Sequence, residues 1–465
     1  MLHPERFREA LDDERYREFM AVAEEARRRF AGRVIWNVNS TARGGGVAEM
    51  LRPLLAYSRG AGVDARWVVI EGDPDFFKVT KRIHNNLHGA DGDGGALGER
   101  ERGLYEHALE ANAEAMKHLI REQDVVVLHD PQTAGLIPSI KNCGARVIWR
   151  CHVGLDLPTD VARRAWHFLI PYVEQADDYI FSRQAFAWEG LDESKIIVIP
   201  PSIDAFSPKN QELEPDSVLA ILATSGVIDH GYAPQTHPSF TRSDGSPGRV
   251  DRRANILEAR SLSPDDRVVL QVSRWDRLKD PLGVIGGFAE HDAPHSDAHL
   301  VYAGPDVAAV ADDPEGAEVL QESEQAWHAL SPDVRERGHL ARLPMDDGEE
   351  NAVIVNALQR HADVVVQKSL AEGFGLTVAE AMWKARPVVA SRIGGIQDQI
   401  SNDVSGLLVD DPHDLEGFGN SIRRLLDHPA EAARIGNAAQ QQVRENFLGA
   451  RHLTQYFELI SQLLI

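Results

Sequence analysis

The sequence predicts an α/β protein built from two Rossmann-like, doubly wound domains facing a central cleft, and three observations carry that reading. Short, continuously apolar, β-branched runs recur along the chain, each followed by a segment of helical character. The alternation lapses once, over residues 212–262, and then resumes. At 465 residues the chain also exceeds what one hydrophobic core accommodates.

The elements follow in order. "RVIWNVN" (33–39) leads into the helical "GGGVAEMLRPLLAYSRG", and "ARWVVIEG" (65–72), "DVVVLHD" (124–130), "ARVIWRCH" (145–152), "DDYIFS" (177–182) and "KIIVIPP" (195–201) complete a first set of strands. Runs apolar on both faces belong in a parallel sheet covered by helices on both sides. Residues 212–262 contain no convincing strand, and 230–249 are rich in Pro, Gly, Ser and His. This stretch reads as an inserted, partly disordered loop between domains. A second set begins at "RVVLQVSRWD" (267–276) and continues through "AHLVYAG" (298–304), "GHLARLP" (338–344), "ADVVVQKS" (362–369), "RPVVASR" (386–392) and "SGLLVDD" (405–411). In the tail, Leu453, Phe457, Ile460 and Leu464 repeat at helical spacing and read as packing rather than a membrane anchor. The expected division is a first Rossmann-like domain over 1–210, the insert over 211–262, a second Rossmann-like domain over 263–445, and a final helix over 446–465 returning to the first domain.

Composition narrows the function. Lys and Arg total 49 against 72 Asp and Glu, a net charge of −23, which repels nucleic acids and anionic membranes. A phosphate-bearing ligand must then be captured by a few local cations and backbone amides. The two cysteines, Cys143 and Cys151, read as reduced thiols. The charged N-terminus has no apolar signal region and no run approaches membrane-spanning length, so the expected location is cytoplasmic.

The chemistry concentrates at predicted strand–helix junctions. In "SLAEGFGLTVAEAM" (369–382), Gly373 and Gly375 open a helix whose unpaired amides and positive dipole end suit a phosphate. Carboxylates beside a phosphate are unfavourable neighbours, so Glu372 and Glu380 read as acceptors for ligand hydroxyls, or else as an acidic helix start and a solvated helical residue. Arg274 and Lys279 in "SRWDRLKD" stand at the end of the second set's first strand, placed to meet a diphosphate or, more plainly, solvent. Gly44, Gly45 and Gly46 form a glycine-rich turn after the first strand, able to cradle phosphate but not a dinucleotide fingerprint, since Glu49 occupies its last position. His152, His129 and Asp130 close two strands and are candidate hydroxyl partners or structural residues. The Asp-x-Asp pairs Asp73–Asp75 and Asp91–Asp93 read as turn and cap residues rather than metal ligands.

Taken together, "EGFGLTVAE" and "SRWDRLK" resemble the retaining two-domain (GT-B) glycosyltransferases of the glycogen-synthase and sucrose-synthase-like superfamily. "WNVNSTARGGGVAEML", "ARWVVIEGDPDFFKVTKRIHNNLHG", "LHDPQ", "WRCH" and "AEAMWKARPVVASRIGGIQDQI" look more narrowly like the trehalose synthases that join a nucleotide-activated glucose to glucose. Retaining trehalose phosphorylases share much of this pattern. The resemblance implies that Arg274 and Lys279 hold the donor diphosphate and stabilise the departing nucleotide. It implies that Glu372 binds the donor sugar, that the amides of Phe374, Gly375, Leu376 and Thr377 meet sugar and phosphates, and that Glu380 accepts from the ribose. Gly45 and Gly46 would close on the diphosphate, His152 would contact the transferring sugar, and Asp130 an acceptor or sugar. No cofactor or metal is implied; the partners are a sugar nucleotide and glucose. The donor base, the acceptor and the oligomeric state, a homodimer included, stay open. The insert around 226–250 is where the chain departs from the family pattern.

Overall fold

The computed structural model describes residues 1–42, 46–228, 232, 234–307 and 314–465. The chain divides into two compact units, Met1–Ile203 with Phe447–Ile465, and Asp204–Asn446.

The first unit carries a six-stranded sheet in the order β2-β1-β3-β4-β5-β6. Its strands are β1 (Ile35–Asn39), β2 (Ala65–Val69), β3 (Val125–His129), β4 (Arg146–Cys151), β5 (Asp178–Phe181) and β6 (Ile196–Val198). All pairings are parallel. The runs that are apolar without alternation are those enclosed on both faces: Val125 to Leu128 are fully buried. Chain order reverses at β1 and β3, so the carboxyl ends of these strands flank a topological switch point.

The tail residues Phe447–Ile465 belong to this unit. In the helix Gly449–Leu463, Leu453, Phe457 and Ile460 are buried, and Phe457 meets Phe30 edge-on at 6.1 Å between ring centres. Among the described residues no helix is long and apolar enough to cross a membrane.

The second unit carries a seven-stranded sheet ordered β15-β14-β13-β10-β11-β12-β9, together with a separate hairpin β7-β8. Its elements are β7 (Ser239–Thr241), β8 (Pro247–Arg249), β9 (Asn255–Leu257), β10 (Val268–Val272), β11 (His299–Pro305), β12 (Gly338–Leu343), β13 (Val364–Gln367), β14 (Val388–Ser391) and β15 (Leu407–Val409). From β10 the chain runs outward through β11 and β12, then returns to the other side with β13. The switch point therefore lies between β10 and β13.

The insert corrects the sequence reading. Among the described residues of 212–262 are the three strands β7, β8 and β9 and the helix Pro215–Thr224. Strand β9 extends the large sheet by pairing antiparallel with β12, Ile256 opposite Ala341. The hairpin turns through Gly245 at φ +87° and is fastened to the start of the helix Gly348–His361. Arg242 reaches Asp347 at 2.7 Å and the Ser243 amide donates to Glu349 at 3.0 Å. Three-residue strands are too short to show a period of two, so no alternation announces them. Residues 229–231 and 233 of this stretch lie outside the described residues.

Candidate active site

The donor residues predicted in the second unit gather around its switch point, whereas Gly45 and Gly46 belong to the first unit's sequence. Strand β10 delivers Arg274, and the short turn Arg277–Lys279 delivers Lys279, whose ammonium meets Glu372 Oε2 at 2.5 Å. The two side chains are 16% and 13% exposed, so this ion pair is partly screened from water yet reachable by a ligand. Arg274 is 63% exposed and pairs with Asp276 at 2.7 Å.

The turn that carries Lys279 is held from below. Gln271, fully buried in β10, donates through Nε2 to the Lys279 carbonyl at 2.8 Å and accepts the Lys368 amide at 3.0 Å. The buried Lys368 ammonium binds Asp280, which sits in the left-handed region at φ +49° and caps the next helix by accepting from the Gly283 amide at 3.0 Å. None of this was legible in the sequence, where "QKS" reads only as the end of a strand.

The glycines of "EGFG" have separate jobs. Gly375 is the N-cap of the helix Leu376–Trp383 at φ +84°, a conformation that favours glycine, and no side chain caps that helix. The uncapped first turn, which includes Leu376 and Thr377, is a ready anion site. Gly373 accepts through its carbonyl from the Gly395 amide at 3.1 Å, and Phe374 is buried, its carbonyl taking Gln399 Nε2 at 2.5 Å. A second pair, Gly394–Gly395, supports this loop. A Cβ on Gly394 would lie 1.7 Å from the Glu372 carbonyl oxygen, and one on Gly395 would lie 2.8 Å from that of Gly373. The "IGG" in the sequence was the available signal for this contact.

Glu380 is buried, its side chain 3% exposed, with the Lys209 ammonium 3.6 Å from Oε1. The solvated alternative for this residue is thereby removed, and a cation already stands at its carboxylate. One turn on, the ammonium of buried Lys384 is bonded to Asn210, Gln359 and the Glu380 carbonyl, and burial holds its pKa well below the usual lysine value.

In the first unit, Asp130 and His152 meet at the carboxyl ends of the neighbouring strands β3 and β4. The His152 amide donates to Asp130 Oδ1 at 2.8 Å, and Asp130 adopts φ +64°. His129 stacks on His152 with ring nitrogens 3.1 Å apart and contacts Asn37 at 3.1 Å. Arg150, fully buried, donates to the His152 ring at 3.1 Å, to the Tyr456 hydroxyl at 3.0 Å and to the Ile199 carbonyl at 3.0 Å. Burial, reinforced by this guanidinium, lowers the pKa of His129 to about 3 and holds His152 well below the ordinary histidine value, so both are neutral at pH 7. Burial pushes Asp130 up to about 7, against the His152 amide and Arg150, which favour its ionised form. Arg150 and Tyr456 were not singled out from the sequence; an arginine inside an apolar strand was the clue to the first.

Of the glycine-rich turn, Gly46 opens the helix Gly46–Gly60 and is exposed, while Gly45 lies outside the described residues. The Asp-x-Asp pairs are occupied structurally: Asp73 caps the helix Pro74–Leu87 by accepting from the Phe76 amide at 2.7 Å, and Asp93 pairs with Arg82 at 2.6 Å. Among the described residues no His, Cys, Asp and Glu group has the arrangement of a metal site.

Known proteins match this chain along nearly its whole length. Residues 37–188 match the trehalose synthase N-terminal domain family, and residues 253–442 match the glycosyl transferases group 1 family. The trehalose synthase of Pyrococcus horikoshii is 33% identical over 96% of this chain and 94% of its own. That of Rubrobacter xylanophilus is 34% identical over 96% and 95%. The chain belongs to the trehalose synthase family. Its fold is that of the GT-B glycosyltransferases. A UDP-forming α,α-trehalose-phosphate synthase from Burkholderia xenovorans superposes with a TM-score of 0.65 at 16% identity, covering 92% of this chain and 98% of that one. In this trehalose synthase family member, the Lys279–Glu372 pair stands beside the uncapped start of the helix Leu376–Trp383.

Proposed function

We propose that the protein transfers glucose from a nucleoside-diphosphate glucose to free glucose, forming trehalose with retention of anomeric configuration. The observation that carries this reading is the Lys279–Glu372 ion pair at the switch point of the second unit. An ammonium for a leaving diphosphate and a carboxylate for sugar hydroxyls, side by side, match the two ends of the bond to be broken. Arg274 and Lys279 offset the charge that grows on the departing phosphate, and the first turn of the helix Leu376–Trp383 offers amides to it. Glu372 holds the transferring sugar and Glu380 the ribose. Retention follows when the acceptor hydroxyl attacks an oxocarbenium-like sugar on the face the phosphate leaves, with that phosphate taking the proton. Positioning and electrostatics then supply the catalysis, without a protein nucleophile or metal.

Neutral His152, with buried His129 stacked on it, is suited to exchange hydrogen bonds with sugar hydroxyls, and Asp130 is the acceptor-side carboxylate. The base is open; the Burkholderia neighbour is named for forming UDP. The test is an assay of UDP-, ADP- and GDP-glucose with and without glucose. Release of nucleoside diphosphate together with trehalose, only when glucose is present, is the expected result. Phosphorolysis of trehalose by inorganic phosphate with no nucleotide dependence, or trehalose formed from maltose alone, overturns the proposal.

A further inference from the structure

Gln367 ends β13 at the switch point and is 3% exposed. A carboxamide there is a liability in a sheet core, because a buried donor or acceptor without a partner is destabilising, and an apolar side chain would fill the same space without that risk. Its hydrogen bonds go to residues around the donor site. Nε2 donates to Ser273 Oγ at 3.3 Å, next to Arg274, and to Ser369 Oγ at 2.9 Å; Oε1 accepts from Thr377 Oγ1 at 2.8 Å, in the first turn of the helix Leu376–Trp383. Ser369 in turn reaches Glu372 Oε2 at 3.5 Å, the oxygen that also receives Lys279.

The direction of this chain follows from chemistry. An ionised carboxylate only accepts, so the Ser369 hydroxyl donates to Glu372, and Ser369 Oγ must take its own donor from the nitrogen of the Gln367 amide. Among the described residues Lys279 and Ser369 both donate to Oε2, which leaves Oε1 able to accept from a sugar hydroxyl. We propose that Gln367 is a positioning residue for the donor sugar, acting through Ser369 to fix the orientation of Glu372. The inference rests on the assignment of Glu372 to the sugar of a nucleoside-diphosphate glucose.

The measurement is calorimetric binding of the nucleoside-diphosphate glucose that the wild-type protein prefers, and of the matching nucleoside diphosphate alone. It uses the full-length chain and the variants Gln367→Met, Ser369→Ala and the double variant, with melting temperatures as the check on folding. The affinity ratio between the two ligands isolates the sugar's contribution, which a general loss of stability leaves unchanged. Each single variant should lower that ratio about 5- to 10-fold, the effect of one lost hydrogen bond of ordinary strength, and the double variant should lower it no further than the larger single one. If Gln367→Met weakens both ligands equally, or Ser369→Ala leaves the ratio unchanged, the inference falls while the donor assignment stands. Should Gln367→Met fail to fold, the Ser369→Ala ratio decides alone. A wild-type protein that binds no nucleoside-diphosphate glucose overturns the donor assignment and the inference together.

Discussion

Asp130 and His129, adjacent in sequence, titrate in opposite senses because one burial acts on two kinds of group. Burial disfavours charge, so it raises the carboxyl to about 7 and lowers the imidazole to about 3. For Asp130, the folded state keeps a proton that the unfolded state releases near 3.8; its contribution to stability is complete below that pH and is lost as pH rises through about 7. For His129 the unfolded state takes up a proton near 6.5 that the folded state refuses until about pH 3, so stability is lost as pH falls below 6.5. Between about pH 4 and 6.5 the two slopes, each roughly 1.4 kcal/mol per pH unit, oppose one another. Asp130→Asn removes the carboxyl's slope, retains an oxygen for the His152 amide and tolerates the left-handed backbone. Urea unfolding at pH 4.5, 5.5 and 6.5 should show the variant losing stability on acidification more steeply than wild type; parallel curves would refute the opposing titrations.

At the scale of elements, the insert shows how a segment without pattern is held. Glu350 is 1% exposed, and one of its oxygens accepts the amides of Asp251 and Arg252, each at 2.6 Å, while the other binds the Arg252 guanidinium. A buried carboxylate thus fastens the chain between β8 and β9 to the helix Gly348–His361. Glu350→Ala would leave the Asp251 and Arg252 amides without their acceptor, a cost of about 1–3 kcal/mol, while the half-exposed Arg252 guanidinium turns to water. The expected readout is a lower denaturation midpoint with rapid proteolytic cleavage within 234–254, whereas exposed Asp346→Ala leaves both unchanged. Equal behaviour of the two variants would show that the hairpin does not depend on Glu350. The twelve longer runs were readable because burial on both faces writes itself as an unbroken apolar stretch. Strands β7, β8 and β9 were not, since a contact such as Arg242 with Asp347, 105 residues away, leaves no local trace.

For the whole molecule, a net charge of −23 makes anion binding a local achievement rather than a property of the surface. Arg274, Lys279, Glu372 and Glu380 all lie in Asp204–Asn446, so a ligand that occupies them stabilises that unit first. At 100 times its dissociation constant, a ligand adds roughly 2.7 kcal/mol, a shift of about 5 °C or more for a unit of this size. A thermal-shift series with UDP-, ADP- and GDP-glucose should raise one melting step with at least one nucleotide sugar; no shift with any of them would count against the donor site. The sequence alone determined the α/β alternation and the two doubly wound domains, and it offered Arg274, Lys279, Glu372 and Glu380 as candidate site residues, because strand period and strand–helix junctions are set by near neighbours. Only the tertiary structure decided that Lys279 pairs with Glu372, 93 residues on, that Gln367 and Ser369 lie behind it, and that Arg150 and Tyr456 surround His152. Those contacts depend on which strands become neighbours in the sheet, and strand order is a property of the closed fold that no local pattern encodes.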